Sequence, residues 1–250
     1  MDDNIHKAAD LLRNAKYVVA LTGAGISTPS GIPDFRSAGS GIWNHVNPYE
    51  VASLPAFMAK PKAFYDWLKP LATTVLDAKP NPAHTALAQL EQKGWIRCVI
   101  TQNIDMLHSR AGSKNVLEIH GHLREATCIS CQEVFDAPPF IDEFLNTGAI
   151  PRCPSCGGVL KPNVILFGEA LPERVFDAAK DAADRCDVML VAGSSLEVAP
   201  VSDFPIQALR HKASLILVNF DKTYVDSRAE IVIHGDVATV LPQIADALEA

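Results

Sequence analysis

The chain has 250 residues, 48% of them hydrophobic and 20% charged, with a formal net charge of -7. That is enough for one large domain, or a domain with a smaller module, around a sizeable core. The acidic balance argues against general nucleic-acid binding, which needs a basic patch, and is compatible with a cationic partner such as a lysine-rich peptide. No apolar run is long enough to span a bilayer. The N-terminal MDDNIHKAADLLRN is acidic and amphipathic, without the basic and apolar regions of a signal peptide. The expected location is therefore cytoplasmic, where cysteines serve as metal ligands or thiols more than as disulfides.

In chain order, Ile5, Ala8, Ala9 and Leu12 have the spacing of a helix over residues 3–14 with one buried face. A β-type run at 17–22 leads into TGAGISTPSGIPDFR at 22–36. Gly23 and Gly25 permit a tight turn, Gly31-Ile32-Pro33 a second. After a buried strand such a turn can present N–H groups to an anion such as a pyrophosphate. The match to G-x-G-x-x-G is incomplete, since Thr28 stands at the third glycine, and an unliganded strand-to-helix turn explains the glycines equally well. Residues 37–80 hold six aromatic residues broken by prolines at 48, 55, 61, 70 and 80, which predicts short helices joined by loops. A helix is predicted at 82–93, a strand at 96–101, a helix at 104–110 and a short strand at 115–119 ending at His120-Gly121-His122. After a cysteine-bearing segment at 123–162, the predicted elements are a strand at 163–167, a helix at 172–183, a strand at 187–192, a helix near 201–211, strands at 214–219 and 230–234, and a helix at 237–248. Near-continuous apolar strands alternating with helices predict a doubly wound, Rossmann-like α/β fold with a parallel sheet.

Cys128-x2-Cys131 and Cys153-x2-Cys156 lie 21 residues apart, close to the two-knuckle zinc pattern. Four thiolates make a closed tetrahedral site, so the expected zinc is structural and staples a small insert. A thioredoxin-like pair would explain one knuckle only. A zinc deaminase would need H-x-E and P-C-x-x-C, and none of the eight histidines precedes a Glu by two, while Arg152 precedes Cys153. Cys98 and Cys186 read as small core residues.

Ligands of open α/β sheets bind at the carboxyl ends of the strands. Those ends carry Gly23-Ala24-Gly25, Gln102-Asn103-Ile104-Asp105, His120, Gly193-Ser194-Ser195, Asn219 and Gly235-Asp236. Each has a plain alternative. Asn103 and Asp105 are residues that cap a following helix, His120 could be a core histidine bonded to a carbonyl, and the serines could be turn residues. Their coincidence along one rim is what favours a site.

GAGIS (23–27), GIPDFR (31–36), TQNID (101–105), HG (120–121), FGE (167–169) and GSSLEVAP (193–200) occur in this order, with the two cysteine pairs between HG and FGE. The chain resembles the sirtuins, NAD-dependent protein deacylases, over about residues 10–240, and in its compactness the bacterial and archaeal members. The resemblance implies a large NAD-binding domain from 1–36, 81–122 and 163–250. It implies a small domain from the helical insert 37–80 and the zinc-binding insert 123–162. NAD is consumed. Gly23 to Thr28, with Ala24, would cradle the pyrophosphate, and Pro33 to Arg36 would reach over the nicotinamide ribose, Phe35 guarding the nicotinamide. Asn103 and Asp105, with the Ile104 backbone, would surround the carboxamide, the assigned catalytic pair being His120 and Asn103. Gln102 would lie near the ribose, and Ser194, Ser195, Asn219, Asp236 and Val237 along the rest of the dinucleotide. In the implied chemistry the acyl oxygen captures the ribose carbon as nicotinamide leaves. His120 then activates a ribose hydroxyl, a task suited to imidazole. The products are free lysine, nicotinamide and O-acyl-ADP-ribose. An acyl-lysine peptide would add as a strand between Ile165, Phe167 and Gly168 on one side and Glu197 and Val198 on the other.

Two departures from the family pattern stand out. Lys161-Pro162-Asn163 replaces Arg-Pro-Asp, and Tyr65 is followed three residues later by Leu68, where the desuccinylating branch has Tyr-x-x-Arg. An acyl carboxylate would then be unpaired and costly, so acetyl and other uncharged acyl groups are the expected substrates. The competing readings are transfer of ADP-ribose to an acceptor, a non-catalytic NAD-binding module, and a hydride-transferring dehydrogenase, which the missing third glycine disfavours.

Overall fold

The structure is a computed structural model that describes residues 2–35, 41–44 and 46–249. It contains a six-stranded parallel sheet and a three-stranded antiparallel one. The chain opens with α1 (Asp2–Asn14), whose Ile5, Ala8, Ala9 and Leu12 are buried as their spacing requires. β1 (Val18–Thr22) follows. The insert after it holds α2 (Pro48–Val51), α3 (Leu54–Ala59) and α4 (Pro61–Asp77). Then come α5 (Pro82–Gln92), β2 (Cys98–Thr101), α6 (Leu107–Ala111) and β3 (Val116–Glu118). β4 (Gly121–Cys128), β5 (Val134–Asp136), α7 (Pro138–Thr147) and β6 (Leu160–Val164) build the small sheet region. The chain ends through α8 (Glu173–Arg185), β7 (Val188–Ala192), α9 (Phe204–Arg210), β8 (Ser214–Asn219), β9 (Ile231–His234) and α10 (Val237–Glu249).

The large sheet runs β3-β2-β1-β7-β8-β9, the order in which a doubly wound sheet reverses direction between β1 and β7. Side chains alternate across it with period two. Val18, Ala20, Val99, Val188, Leu190, Ile216 and Val218 pack under α1, α5 and α10. Val19, Leu21, Cys98, Ile100, Met189, Val191, Leu215 and Leu217 pack under α8 and α9. Both faces are covered, which is why these strands read as unbroken apolar runs. Cys98 and Cys186 are core residues here, and burial pushes their thiols up to about 11 and about 12. Thr22 pairs with both Thr101 and Ala192, so three strands end level and their loops lie side by side.

The structure differs from expectation in four places. The strand expected at 163–167 is β6, Leu160–Val164, and it belongs to the antiparallel β5-β4-β6 sheet. That sheet starts at Gly121 and so overruns the expected 123–162 insert at both ends. The helix expected from 104 starts at Leu107, because Met106 takes the left-handed conformation (φ 61°) and Asp105 caps Leu107. The insert prolines do not break helices. Pro48, Pro55 and Pro61 sit in first turns, where no N–H is missed. Pro70 lies inside the 17-residue α4 on its exposed side, while Phe64, Leu68, Ala72 and Val75 bury a stripe that continues past it. Packing of that stripe outweighs a cost of roughly 3 kcal/mol for an internal proline.

Candidate functional site

The turns after β1 and β7 interlock. A Cβ on Gly23 would lie 2.9 Å from Ser194 Oγ, one on Gly25 2.8 Å from the Gly193 carbonyl, and one on Gly193 (φ +60°) 2.3 Å from the Ile26 nitrogen. These glycines are therefore required by contact between two strand-end turns. That answers why Thr28 can stand at the third position: its hydroxyl donates to the Gly25 carbonyl and closes the turn, at 3.0 Å.

Beneath the turns lies a buried polar network whose hydrogens can be assigned by counting donors. His84 Nδ1 accepts the Asn81 N–H, so its proton is on Nε2, which faces Ser27 Oγ. Ser27 receives the Asn103 amide as well (3.0 Å) and donates its one hydrogen to Asp105 Oδ2 (2.6 Å). Asp105 Oδ1 accepts the Leu107 N–H (2.8 Å). The Asn103 amide also donates to the Gly23 carbonyl (3.1 Å), and its backbone N–H to Thr101 Oγ1 (3.1 Å). Asp105 thus caps the Leu107 N–H, as the plain reading held, whereas Asn103 does not cap; together they tie the 102–105 loop to the 23–27 turn. Burial raises the Asp105 carboxyl, opposed by the bonds from Ser27, Leu107 and Asn103. Thr22 donates to Thr101 and so accepts from His108 Nε2 (2.9 Å).

Burial drives His84 down to about 4, and drives His108, fully enclosed beside His84, well below the ordinary imidazole value. Both rings are therefore neutral when folded, and the unfolded chain binds more protons below about pH 6.5. Their contribution is complete above that pH and is lost on acidification. His84 alone should cost about 3 kcal/mol of stability by pH 4. Asp105 works in the opposite direction, only below its raised value. The urea midpoint should fall steeply between pH 7 and 4.5, and His84→Gln should flatten the fall; a midpoint indifferent to pH would contradict the assignment.

His120 stands half-buried between the two sheets. A carbonyl can only accept, so the 3.0 Å contact of Nδ1 with the Gln102 carbonyl places the proton on Nδ1 and leaves Nε2 as the basic nitrogen. Gln102 in turn donates to Ser194 Oγ (3.0 Å). His120, Gln102, Ile104, Phe35, Ile165, Phe167, Gly168 and Val198 line one slot of about 300 Å³. Apart from Glu169 its remaining wall is apolar, with Trp43, Phe64, Trp67, Leu68 and Leu71 from the helical insert. Trp43 stacks on Phe35 (5.2 Å) and on Trp67 (5.4 Å). Sequence reasoning put Ser27 in the pyrophosphate turn without foreseeing its bond to Asp105, and passed over Trp43, Trp67 and His84. The two tryptophans carried no signal beyond an aromatic-rich insert, and His84 lay in the Asn-Pro-Ala-His start of α5.

The other expected rim residues are placed less centrally. Ser195 is exposed, and the Asn219 amide donates to the Asp221 carbonyl. Asp236 spends its carboxylate capping α10 through the Ala238 N–H and Thr239 hydroxyl, and the Val237 side chain is in the core, so Val237 could meet a ligand only through its backbone. Ala24 is half-buried in the turn and Glu197 is exposed. The Phe167 N–H is already bonded to the Ala52 carbonyl and is not on offer to an incoming strand. Arg36 lies outside the described residues. Polar side chains thus stand at the ends of β1, β2, β7 and β8, on the rim where ligands of doubly wound sheets bind.

Cys128, Cys131, Cys153 and Cys156 bring their sulfurs within 4.8 Å of one another, with Cys128–Cys156 at 3.5 Å and Cys131–Cys153 at 3.7 Å. A tetrahedral zinc with Zn–S near 2.3 Å sets sulfurs about 3.8 Å apart, so the donor set fits. Gly158 has no room for a Cβ, which would meet Cys128 Sγ at 2.8 Å. Removing the metal with a chelator should lower the thermal midpoint by loosening β4–β6, and metal analysis should return about one zinc per chain.

Residues 23–200 match the family model described as the Sir2 family. The chain is 45% identical over 247 residues to NAD-dependent protein deacylase 2 of Archaeoglobus fulgidus, covering 98% of this chain and 96% of the relative. It is 42% identical to NAD-dependent protein deacetylase 1 of Pyrobaculum aerophilum, over 98% and 95%. A solved Sir2 enzyme superposes with a TM-score of 0.93 at 44% identity, over 100% of this chain and 99% of that one. A Sir2 structure with p53 peptide and NAD+ does so with 0.88 at 39%, over 96% of each chain. The chain belongs to the Sir2 family.

Proposed function

We infer that this chain removes acetyl and other uncharged acyl groups from protein lysines at the expense of NAD, with His120 as general base. The activity class rests on full-length relatives that are NAD-dependent protein deacylases and deacetylases. The observation that carries the residue roles is the His120 ring, oriented by the Gln102 carbonyl with its basic nitrogen directed away from that bond, in the wall of an apolar slot. NAD supplies the ribose carbon to which the acyl oxygen is transferred. Of the chain's own residues, Asn103 and Asp105 hold the loop over which the nicotinamide end is placed. Gly23, Ala24 and Thr28 form the turn for the pyrophosphate, and Ser194, Ser195, Asn219, Asp236 and Val237 follow the remainder. Arg36 is assigned with Phe35 on the resemblance alone.

The peptide is placed along Ile165–Gly168 and Glu197–Val198. Relatives hold a p53 peptide and, in one case, a myristoylated histone peptide. A cytoplasmic location belongs to the same reading, since a reducing compartment keeps four cysteines available as thiolates for a metal. Among the described residues no helix is long and apolar enough to cross a membrane.

The test is mass spectrometry of products from an acetyl-lysine peptide with and without NAD. Deacetylated peptide, nicotinamide and O-acetyl-ADP-ribose in equal amounts support the reading. ADP-ribosylated peptide, or NAD bound but not consumed, overturns it in favour of transfer to an acceptor or of a binding module.

A further inference from the structure

Lys161 is only 8% exposed, an uncommon position for an ammonium. All three of its hydrogens are committed: to the Val164 carbonyl (2.9 Å), the Pro162 carbonyl (3.1 Å) and Glu169 Oε2 (3.1 Å). The same Glu169 oxygen accepts the Leu166 N–H (3.0 Å). Leu166 to Glu169 is a tight turn closed by the Glu169 N–H on the Leu166 carbonyl, with Gly168 at φ +80°. The ion pair therefore braces this turn at both of its ends.

What the turn carries makes the brace consequential. The Ile165 N–H donates to the His120 carbonyl (2.8 Å), and Phe167 is bonded through its N–H to Ala52 and through its carbonyl to Leu54. The segment thus joins the His120 main chain to the helical insert. Val164 and Leu166 anchor it in the apolar core. Ile165 and Glu169, by contrast, line both the slot and a second cleft of about 770 Å³ behind it. At those residues the segment is a wall one strand thick with open space on each side. Side-chain packing cannot fix its path there, and the buried ion pair can.

We propose that Lys161 is a positioning residue for deacylation: paired with Glu169, it sets the path of residues 164–169, and through that path both the edge offered to the acyl-lysine peptide and the seat of His120. This rests on the reading that 165–168 binds peptide and His120 is the base. The family's arginine carries the same charge on a different donor geometry, so Lys161→Arg asks whether the pairing with Glu169, and not the shape of the ammonium, is what the turn needs.

The test compares wild type, Lys161→Met, Glu169→Ala and Lys161→Arg, each checked for folding by thermal melting. A fluorescent acetyl-lysine peptide is followed by anisotropy, and steady-state constants are measured for peptide and NAD separately. Lys161→Met and Glu169→Ala should each raise the peptide Kd by about tenfold or more, as for a lost charge-assisted hydrogen bond. Each should also lower kcat while the KM for NAD stays at the wild-type value, and Lys161→Arg should restore peptide binding. The double variant Lys161→Met with Glu169→Gln removes the stranded charge without restoring the brace, and should remain impaired. Wild-type peptide affinity in Lys161→Met or Glu169→Ala, or recovery in the double variant, overturns the proposal. Wild-type protein that fails to bind acetyl-lysine peptide overturns instead the functional reading beneath it.

Discussion

Replacing His120 with alanine should lower kcat/KM for deacetylation by about 10²-fold or more, the usual loss when a general base is removed. The geometry makes the assignment specific. The ring is held by its Nδ1–H on the Gln102 carbonyl, and its main chain by the Ile165 N–H. Gly121, in the left-handed region at φ +78°, turns the chain sharply after it; a Cβ there would lie 2.0 Å from the Asn163 carbonyl. Orientation is therefore imposed from three sides, and Nε2 is the nitrogen that can take a proton. His120→Asn separates orientation from basicity, because its amide can still donate to the Gln102 carbonyl but cannot take a proton at neutral pH. It should be as impaired as His120→Ala. Rates within a few-fold of wild type for either variant, measured by product mass spectrometry, would remove His120 from the mechanism.

The sheet and the zinc cluster were legible because their signals are local and periodic. Unbroken apolar runs at the strands of the large sheet report burial on both faces, and C-x2-C spacing reports a knuckle wherever it occurs. The errors arose where tertiary contact overrides a local rule. β6 reads as one more apolar strand, yet its partner is β4, and nothing in NVILF encodes which sheet it joins. Pro70 reads as a stop, yet the stripe from Phe64 to Val75 carries α4 through it. The start of α6 was missed because Met106 adopts a left-handed conformation that a non-glycine residue seldom takes.

At the site, the residue types at the strand ends were readable, and their connections were not. Gly23 and Gly25 looked like a phosphate loop, whereas their necessity comes from Gly193 and Ser194, far away in sequence. The Ser27–Asp105 and Lys161–Glu169 bonds likewise join segments with no common motif. A one-dimensional reading finds the reactive groups; the bonds that hold them at fixed distances appear only once the strands are in register.

Succinyl-lysine should be removed two to four orders of magnitude more slowly than acetyl-lysine in kcat/KM, since an unpaired buried charge costs roughly 3–5 kcal/mol. The slot offers that carboxylate no cation among the described residues that line it. Leu68 lines the slot where an arginine would be needed, and Glu169 in the same lining is a carboxylate, of the wrong sign and already paired with Lys161. Tyr65 cannot substitute. Its hydroxyl is buried and donates to the Leu160 carbonyl (2.6 Å), and burial pushes its ionisation far up, so it is neither free nor directed into the slot. Pentanoyl-lysine, of the same length as succinyl but uncharged, isolates charge from size. It should be processed far better than succinyl-lysine, and Leu68→Arg should narrow the gap by placing a guanidinium in the wall. Comparable rates for succinyl and pentanoyl peptides on the wild-type chain would mean that a cation reaches the acyl end after all, and the apolar account of the slot would have to be abandoned.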